Sequence, residues 1–219
     1  LSIYISLTNL AQRLMPFPQF LEWLKYKRRR YASPAPYAVK YAVLVRYGVR
    51  EGVWVETGTF KGKTTRRLAR HAKQVYSIEP SEALATQARA KLSKFSNVEI
   101  ITGTSEEVMP NLVARLEGAV SFFLDGHYSA GETFRGQTDT PIEAELAAIE
   151  AHIHSWKRCV VLIDDVRCFD PDSAEYGTYP ERSSLVAFAD RNSMKWTIEH
   201  DIFCAWVDKS LSRGPSQAT

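Results

Sequence analysis

From residue 53 onward, short β-rich apolar runs alternate with segments of helical period. Residues 53–56 (VWVE) predict a strand that ends in a Gly-bearing loop, followed by a helix over 64–72. Residues 75–78 and 98–102 predict a second and a third strand, each followed by a helix: 82–94 after the second, and after the third one opened by Thr104 and Glu107 in capping-box spacing. The run at 120–124 is a fourth, strongly apolar strand, followed by the polar, Gly-containing stretch GHYSAGETFRGQTD. Thr140-Pro141-Ile142-Glu143 then combines an N-cap, a proline at the first helical position and a capping-box acid, and opens a helix to about residue 154. Residues 160–163 are nearly all β-branched, as suits a central parallel strand. A helix over 183–191 and two closing runs, 195–199 and 203–207, complete the pattern. The short link His200-Asp201 permits only a hairpin, so one closing strand must run antiparallel.

This order predicts an α/β fold: a Rossmann-like, doubly wound, seven-stranded sheet, mostly parallel with one antiparallel strand. Ligands of such sheets bind outside the carboxyl ends of the strands. The expected organisation is an N-terminal helical extension over 1–50, one ligand-binding domain over 51–209 and a flexible tail over 210–219.

Bulk composition narrows the classes. The chain has 219 residues, 45% hydrophobic and 24% charged, enough for one sizeable core. A net charge of +3 is too mild to argue for nucleic acid, and the run Lys25-Tyr26-Lys27-Arg28-Arg29-Arg30 reads as a solvated helix face or as a phosphate or membrane-surface patch. Cys159, Cys168 and Cys204 form no CxxC, so reduced thiols and a cytoplasmic setting are expected. No apolar stretch approaches a membrane span, and the opening LSIYISL is too short to be expected as a signal peptide.

The loop VWVETGTFKGKTT decides the ligand. A triphosphate loop needs a glycine five residues before Gly62, where the chain has Thr57. A dinucleotide loop needs glycine where Phe60 stands. What remains is Glu56, Gly58 and Gly62 in the spacing E-x-G-x-x-x-G. This resembles motif I of class I S-adenosylmethionine-dependent methyltransferases, in the form found among metal-dependent small-molecule O-methyltransferases of catechol type and macrolide-sugar type.

The resemblance implies a cofactor site made of Glu56, Gly58, Thr59, Phe60 and Gly62 in the loop. It adds Glu79 at the end of the second strand, 23 residues after Glu56, as acceptor for both ribose hydroxyls. Thr104, Ser105 and Glu106 stand where the family cradles adenine, and plain helix capping is the competing role for Thr104 and Ser105.

Asp125 ends the fourth strand and Asp164 with Asp165 end the fifth, so all three face one cleft. By the resemblance they are ligands for Mg²⁺, which would bind an acceptor hydroxyl, and Asp125 also borders the cofactor. The competing reading has Asp125 on cofactor or loop backbone and Asp164 and Asp165 capping turns. Asp125 and His127 are the catalytic residues expected, with His127 as general base or as a partner of adenine or of its own loop. The loops 126–140 and 166–181, with Phe134, Phe169, Tyr176 and Tyr179, are expected to build the acceptor pocket.

The expected activity is therefore S-adenosylmethionine-dependent O-methylation of a hydroxylated small molecule or sugar, with divalent-metal assistance. Nucleic acid is disfavoured as a partner, because Asp125-Gly126-His127-Tyr128 replaces the Asn/Asp-Pro-Pro-Tyr segment of exocyclic-amine methylases. A non-catalytic module that binds S-adenosylmethionine is the third class. Residues 1–50 are expected either as a lid over the cofactor or as a homodimer contact.

Overall fold

The computed structural model describes residues 17–125, 140–170, 172 and 179–209. Two helices, α1 (Phe17–Arg28) and α2 (Tyr37–Tyr47), precede the sheet. The alternating part runs β1 (Val53–Thr57), α3 (Lys63–Leu68), β2 (Gln74–Glu79), α4 (Glu82–Leu92), β3 (Val98–Thr102), α5 (Ser105–Val113) and β4 (Ala119–Leu124). It continues with α6 (Ile142–His152), β5 (Arg158–Ile163), α7 (Arg182–Arg191), β6 (Lys195–Glu199) and β7 (Ile202–Asp208). The strands form one seven-stranded sheet in the order β3-β2-β1-β4-β5-β7-β6. Strands β1 to β5 pair in parallel, while β7 runs antiparallel to both β5 and β6. The expected fold class is the observed one.

Strand alternation sorts the core into two layers. Val161 and Ile163 of β5 join Phe122 of β4 against α5, α6 and α7, through Met109, Leu112, Ile149 and Phe188. Val160 and Leu162 point the other way and join Trp54, Phe123 and Cys204 against Val43 and Leu44 of α2 and Leu68 of α3. Thus α2 is one of the helices that cover the sheet. Its far end is tied to β6, where Tyr47 donates to Glu199 at 2.8 Å and Arg46 at 3.1 Å.

Local details differ from the pattern at several places. Helix α3 stops at Leu68 rather than 72, because the carbonyls of Ala69 and Ala72 accept from the Asn97 amide at 2.9 and 3.0 Å as the chain turns into β2. Helix α6 starts one residue later than expected, with Pro141 at the N-cap, and the Thr140 hydroxyl still accepts from the Ile142 N–H at 3.4 Å. Thr104 is the N-cap of α5, yet its side chain makes no capping bond. The His200-Asp201 link has positive φ at both residues (51° and 70°), the geometry of a tight hairpin turn whose twist matches the strands.

Candidate functional site

The carboxyl ends of the strands form a continuous edge. Amide-to-carbonyl bonds extend the ladder past the strands, from Gly103 N to Glu79 O (3.1 Å), from Gly58 N to Ile78 O (3.0 Å), from Asp125 N to Thr57 O (3.3 Å) and from Asp164 N to Leu124 O (3.1 Å). The order of strands reverses between β1 and β4, where a doubly wound sheet opens its crevice. Every described residue singled out by motif lies along this edge or on the loops that leave it.

The β1–α3 loop is held from beneath by a chain of side chains. Glu56 is 1% exposed, and its Oε2 accepts from the hydroxyls of Thr65 and Ser77, each at 2.6 Å. Ser77 also lies 2.6 Å from the Thr59 hydroxyl. Burial pushes the Glu56 carboxyl up to about 7, against the opposing pull of the two hydroxyls, and the charge of Glu79 adds to the rise. Gly58 and Gly62 have positive φ (85° and 70°), and Phe60 joins them at 47°, so the loop coils tightly. That coil brings the Phe60 N–H to 2.7 Å from Glu79 Oε2, and the Ser81 N–H lies 3.0 Å from Oε1. Each oxygen of Glu79 keeps a second lone pair for a ligand. The buried Thr57 hydroxyl, at the end of β1, has no hydrogen-bond partner among the described residues. A loop drawn onto an acid with spare acceptor capacity fits a ribose-bearing ligand.

Beyond β3, Thr104 is half-buried with its hydroxyl released from capping, Ser105 is buried, and Glu106 is exposed in the first turn of α5.

The acidic cluster is real. Asp125, Asp164 and Asp165 each offer a carboxylate oxygen within 4.8 Å of the others. Asp165 sits in the left-handed region (φ 54°). The Asp164 Oδ1 accepts from the Asp165 N–H at 2.8 Å. The sequence reading missed what surrounds them. Lys40 of α2 reaches into the cluster, donating to Asp164 Oδ2 and to Asp165 Oδ1, each at 2.7 Å. Arg167 donates to the same Asp165 oxygen at 2.6 Å and forms a short ion pair with Asp201 of the β6–β7 turn. Burial raises the Asp164 carboxyl, the Lys40 charge opposes that rise, and the Asp165 charge reinforces it. Lys40 is itself held well above the usual lysine range: burial lowers it, but the two aspartates outweigh that.

A signal for Lys40 was present in YAVKYAVLVRY: Lys40 lies three and four residues before buried Val43 and Leu44, on the same stripe of the helix. Asp201 arrives because antiparallel β7 starts opposite the end of β5, with Ile163 paired to Phe203.

A shallow cleft opens beside Asp164, lined by Leu124, Ile142, Glu145, Phe169 and Tyr179 among others. Phe169 and Tyr179 meet edge to face at 5.2 Å, and Phe169 is buried as part of the core. Glu145, 1% exposed on α6, is a second acid the sequence reading did not single out. His127, Phe134 and Tyr176 lie outside the described residues. Among the described residues, no helix is long and apolar enough to cross a membrane.

No protein-family model matches the chain, and no curated protein matches its sequence. Solved structures do match in fold. A candidate rRNA methylase from Clostridium thermocellum aligns at 13% identity over 77% of this chain and 94% of its own, with a TM-score of 0.52. A candidate methyltransferase from Streptococcus mutans, solved in complex with SAH, aligns at 14% identity over 80% and 98%, with a TM-score of 0.49. At these identities the likeness is one of architecture: the chain has the Rossmann-like fold of methyltransferase structures.

Proposed function

We propose that this protein is an S-adenosylmethionine-dependent methyltransferase acting on a hydroxylated small molecule or sugar. The observation that carries the reading is the Phe60 N–H to Glu79 bond of 2.7 Å, which joins the glycine loop to the ribose-type acid at the crevice of the sheet. S-adenosylmethionine supplies an electrophilic methyl group on a sulfonium centre. Glu79 would accept from the ribose hydroxyls, the loop at Gly58–Phe60 would pass the amino-acid moiety, and Thr104 and Ser105 would border the base. Glu56 acts beneath the loop, fixing its shape through Thr65, Ser77 and Thr59.

The acceptor would enter from the cleft beside Asp164 and Tyr179. As its hydroxyl oxygen forms the new O–C bond, the bond between that methyl carbon and the sulfonium sulfur breaks, the neutral thioether S-adenosylhomocysteine leaves, and the hydroxyl proton passes to Asp125 or to His127. The acidic edge also suits a cationic donor, since Asp125, Asp164, Asp165 and Asp201 outnumber Lys40 and Arg167. The oxygen donor set of Asp125, Asp164 and Asp165 suits Mg²⁺ in chemistry. Its position does not, because the Lys40 ammonium already bonds two of the three carboxylates.

A second reading, RNA methylation, draws on the Clostridium thermocellum neighbour and on the basic last turn of α1 (Lys25, Lys27, Arg28). It predicts RNA affinity that falls steeply with salt.

Calorimetric titration with S-adenosylhomocysteine tests the principal reading. The wild type should bind, and Glu79→Gln, which keeps the shape but loses the charge, should bind about tenfold or more weakly. Absence of binding to the wild type would overturn the assignment.

A further inference from the structure

We infer that Lys40 takes the place of a divalent cation at the acidic centre, so that this edge of the sheet works metal-free and α2 is a fixed wall of it. Four observations support this. First, the Lys40 Nζ lies 2.7 Å from an oxygen of Asp164 and 2.7 Å from an oxygen of Asp165, bridging them as an ion would. Second, cationic groups of the chain already sit on the facing oxygens of both aspartates. Asp164 uses Oδ1 for the Asp165 N–H and Oδ2 for Lys40, while Asp165 Oδ1 serves both Lys40 and Arg167. A small hard cation demands short, near-octahedral oxygen contacts, and it would meet the ammonium at Asp164 Oδ2 and both ammonium and guanidinium at Asp165 Oδ1.

Third, Lys40 is anchored there. It sits one turn before Val43 and Leu44, which are 2% and 1% exposed against the sheet, and the far end of α2 is tied to Glu199 by Arg46 and Tyr47. Its own side chain is only 17% exposed, a degree of burial that lysine reaches when paired. Fourth, Arg167 and Asp201 extend the pairing to the β6–β7 turn, where Asp201 Oδ1 also accepts from the Arg167 N–H at 3.0 Å. The cations paired with Asp164, Asp165 and Asp201 are therefore supplied by the chain itself. A soft contact from a mobile surface lysine would show none of this bracing.

The inference stands apart from the methyl-transfer reading, and its test uses neither cofactor nor activity. Mn²⁺ binding to the full chain is followed by loss of the free-ion electron paramagnetic resonance signal. Wild type should show no saturable site up to about 1 mM. Lys40→Met keeps the aliphatic stem, removes the charge and should gain a site at least about tenfold tighter. Adding Asp164→Asn to Lys40→Met should abolish that gain. Should Lys40→Met fold poorly by circular dichroism, Lys40→Gln carries the same comparison. Saturable binding to wild type that Asp164→Asn removes would overturn the inference, and so would a folded Lys40 variant that gains no site.

Discussion

Replacing Glu56 by Gln should change how stability depends on pH. Glu56 is buried beneath the glycine loop with two hydroxyls on one oxygen, and burial lifts its carboxyl from an ordinary 4.5 to about 7. The folded state therefore holds this proton more tightly than the unfolded chain does. Its contribution to stability is whole below about pH 4.5 and is lost as pH rises through about 7. Each tenfold in a proton equilibrium is worth about 1.4 kcal/mol, so the rise corresponds to about 3 kcal/mol between the ends of that window. Gln cannot ionise. Its carbonyl still accepts from Thr65 and Ser77, and whatever its amide group costs is the same at every pH. Urea unfolding of both proteins across this window gives a difference curve. Relative to wild type, Glu56→Gln should gain about 3 kcal/mol as the pH climbs, most of it between about 5 and 7. A flat difference would refute the reasoning, because the carboxylate would then be solvated or paired in a way the burial does not allow.

Other consequences are open to direct test. Gly62→Ala places a Cβ 3.0 Å from the Leu92 side chain at a φ of +70°, and should lower stability by roughly 1–2 kcal/mol, read from the urea midpoint. An unchanged midpoint would mean that the loop does not hold this conformation. Arg167→Ala strips a shared donor from Asp165 and Asp201 and should cost roughly 2–3 kcal/mol, less when Asp201→Asn is already present. Additive losses would argue against a single network. Trp156→Phe leaves the Leu116 carbonyl without its 3.0 Å indole donor inside the core, so a loss of about 1–2 kcal/mol is expected, and thermal unfolding would expose a silent substitution. Burial holds His200 below the ordinary histidine range. That sign means its share of stability is present above the unfolded value and is lost as pH falls, so His200→Gln should flatten acid unfolding near the α1–hairpin contact, where Tyr26 meets His200 at 3.0 Å.

Much of this was legible along the chain. Seven strands and their order of helices follow from runs such as VVLI and FFL, because side-chain period and β-branching are local properties. The antiparallel strand followed from the two-residue link His200-Asp201, which is too short for a crossover. Glu56, Glu79, Asp125, Asp164 and Asp165 could be placed at one edge, since each ends a strand of a parallel sheet. The end of α3 was off because a carbonyl's capture by Asn97 is decided by a neighbour outside the local window.

The sequence by itself thus determined the sheet, the glycine loop and the row of acids, all set by local period, turn chemistry and strand polarity. The tertiary structure alone decided what those acids do. Glu56 faces inward because Ser77, 21 residues on, comes up beside it from the next strand. Lys40 bridges Asp164 from 124 residues away, and Arg167 finds Asp201 across 34, once β7 has folded back against β5. A carboxylate at a strand end is a local fact. Its partner depends on which helix the closed sheet buries beside it, and that is settled only when both layers of the core have packed.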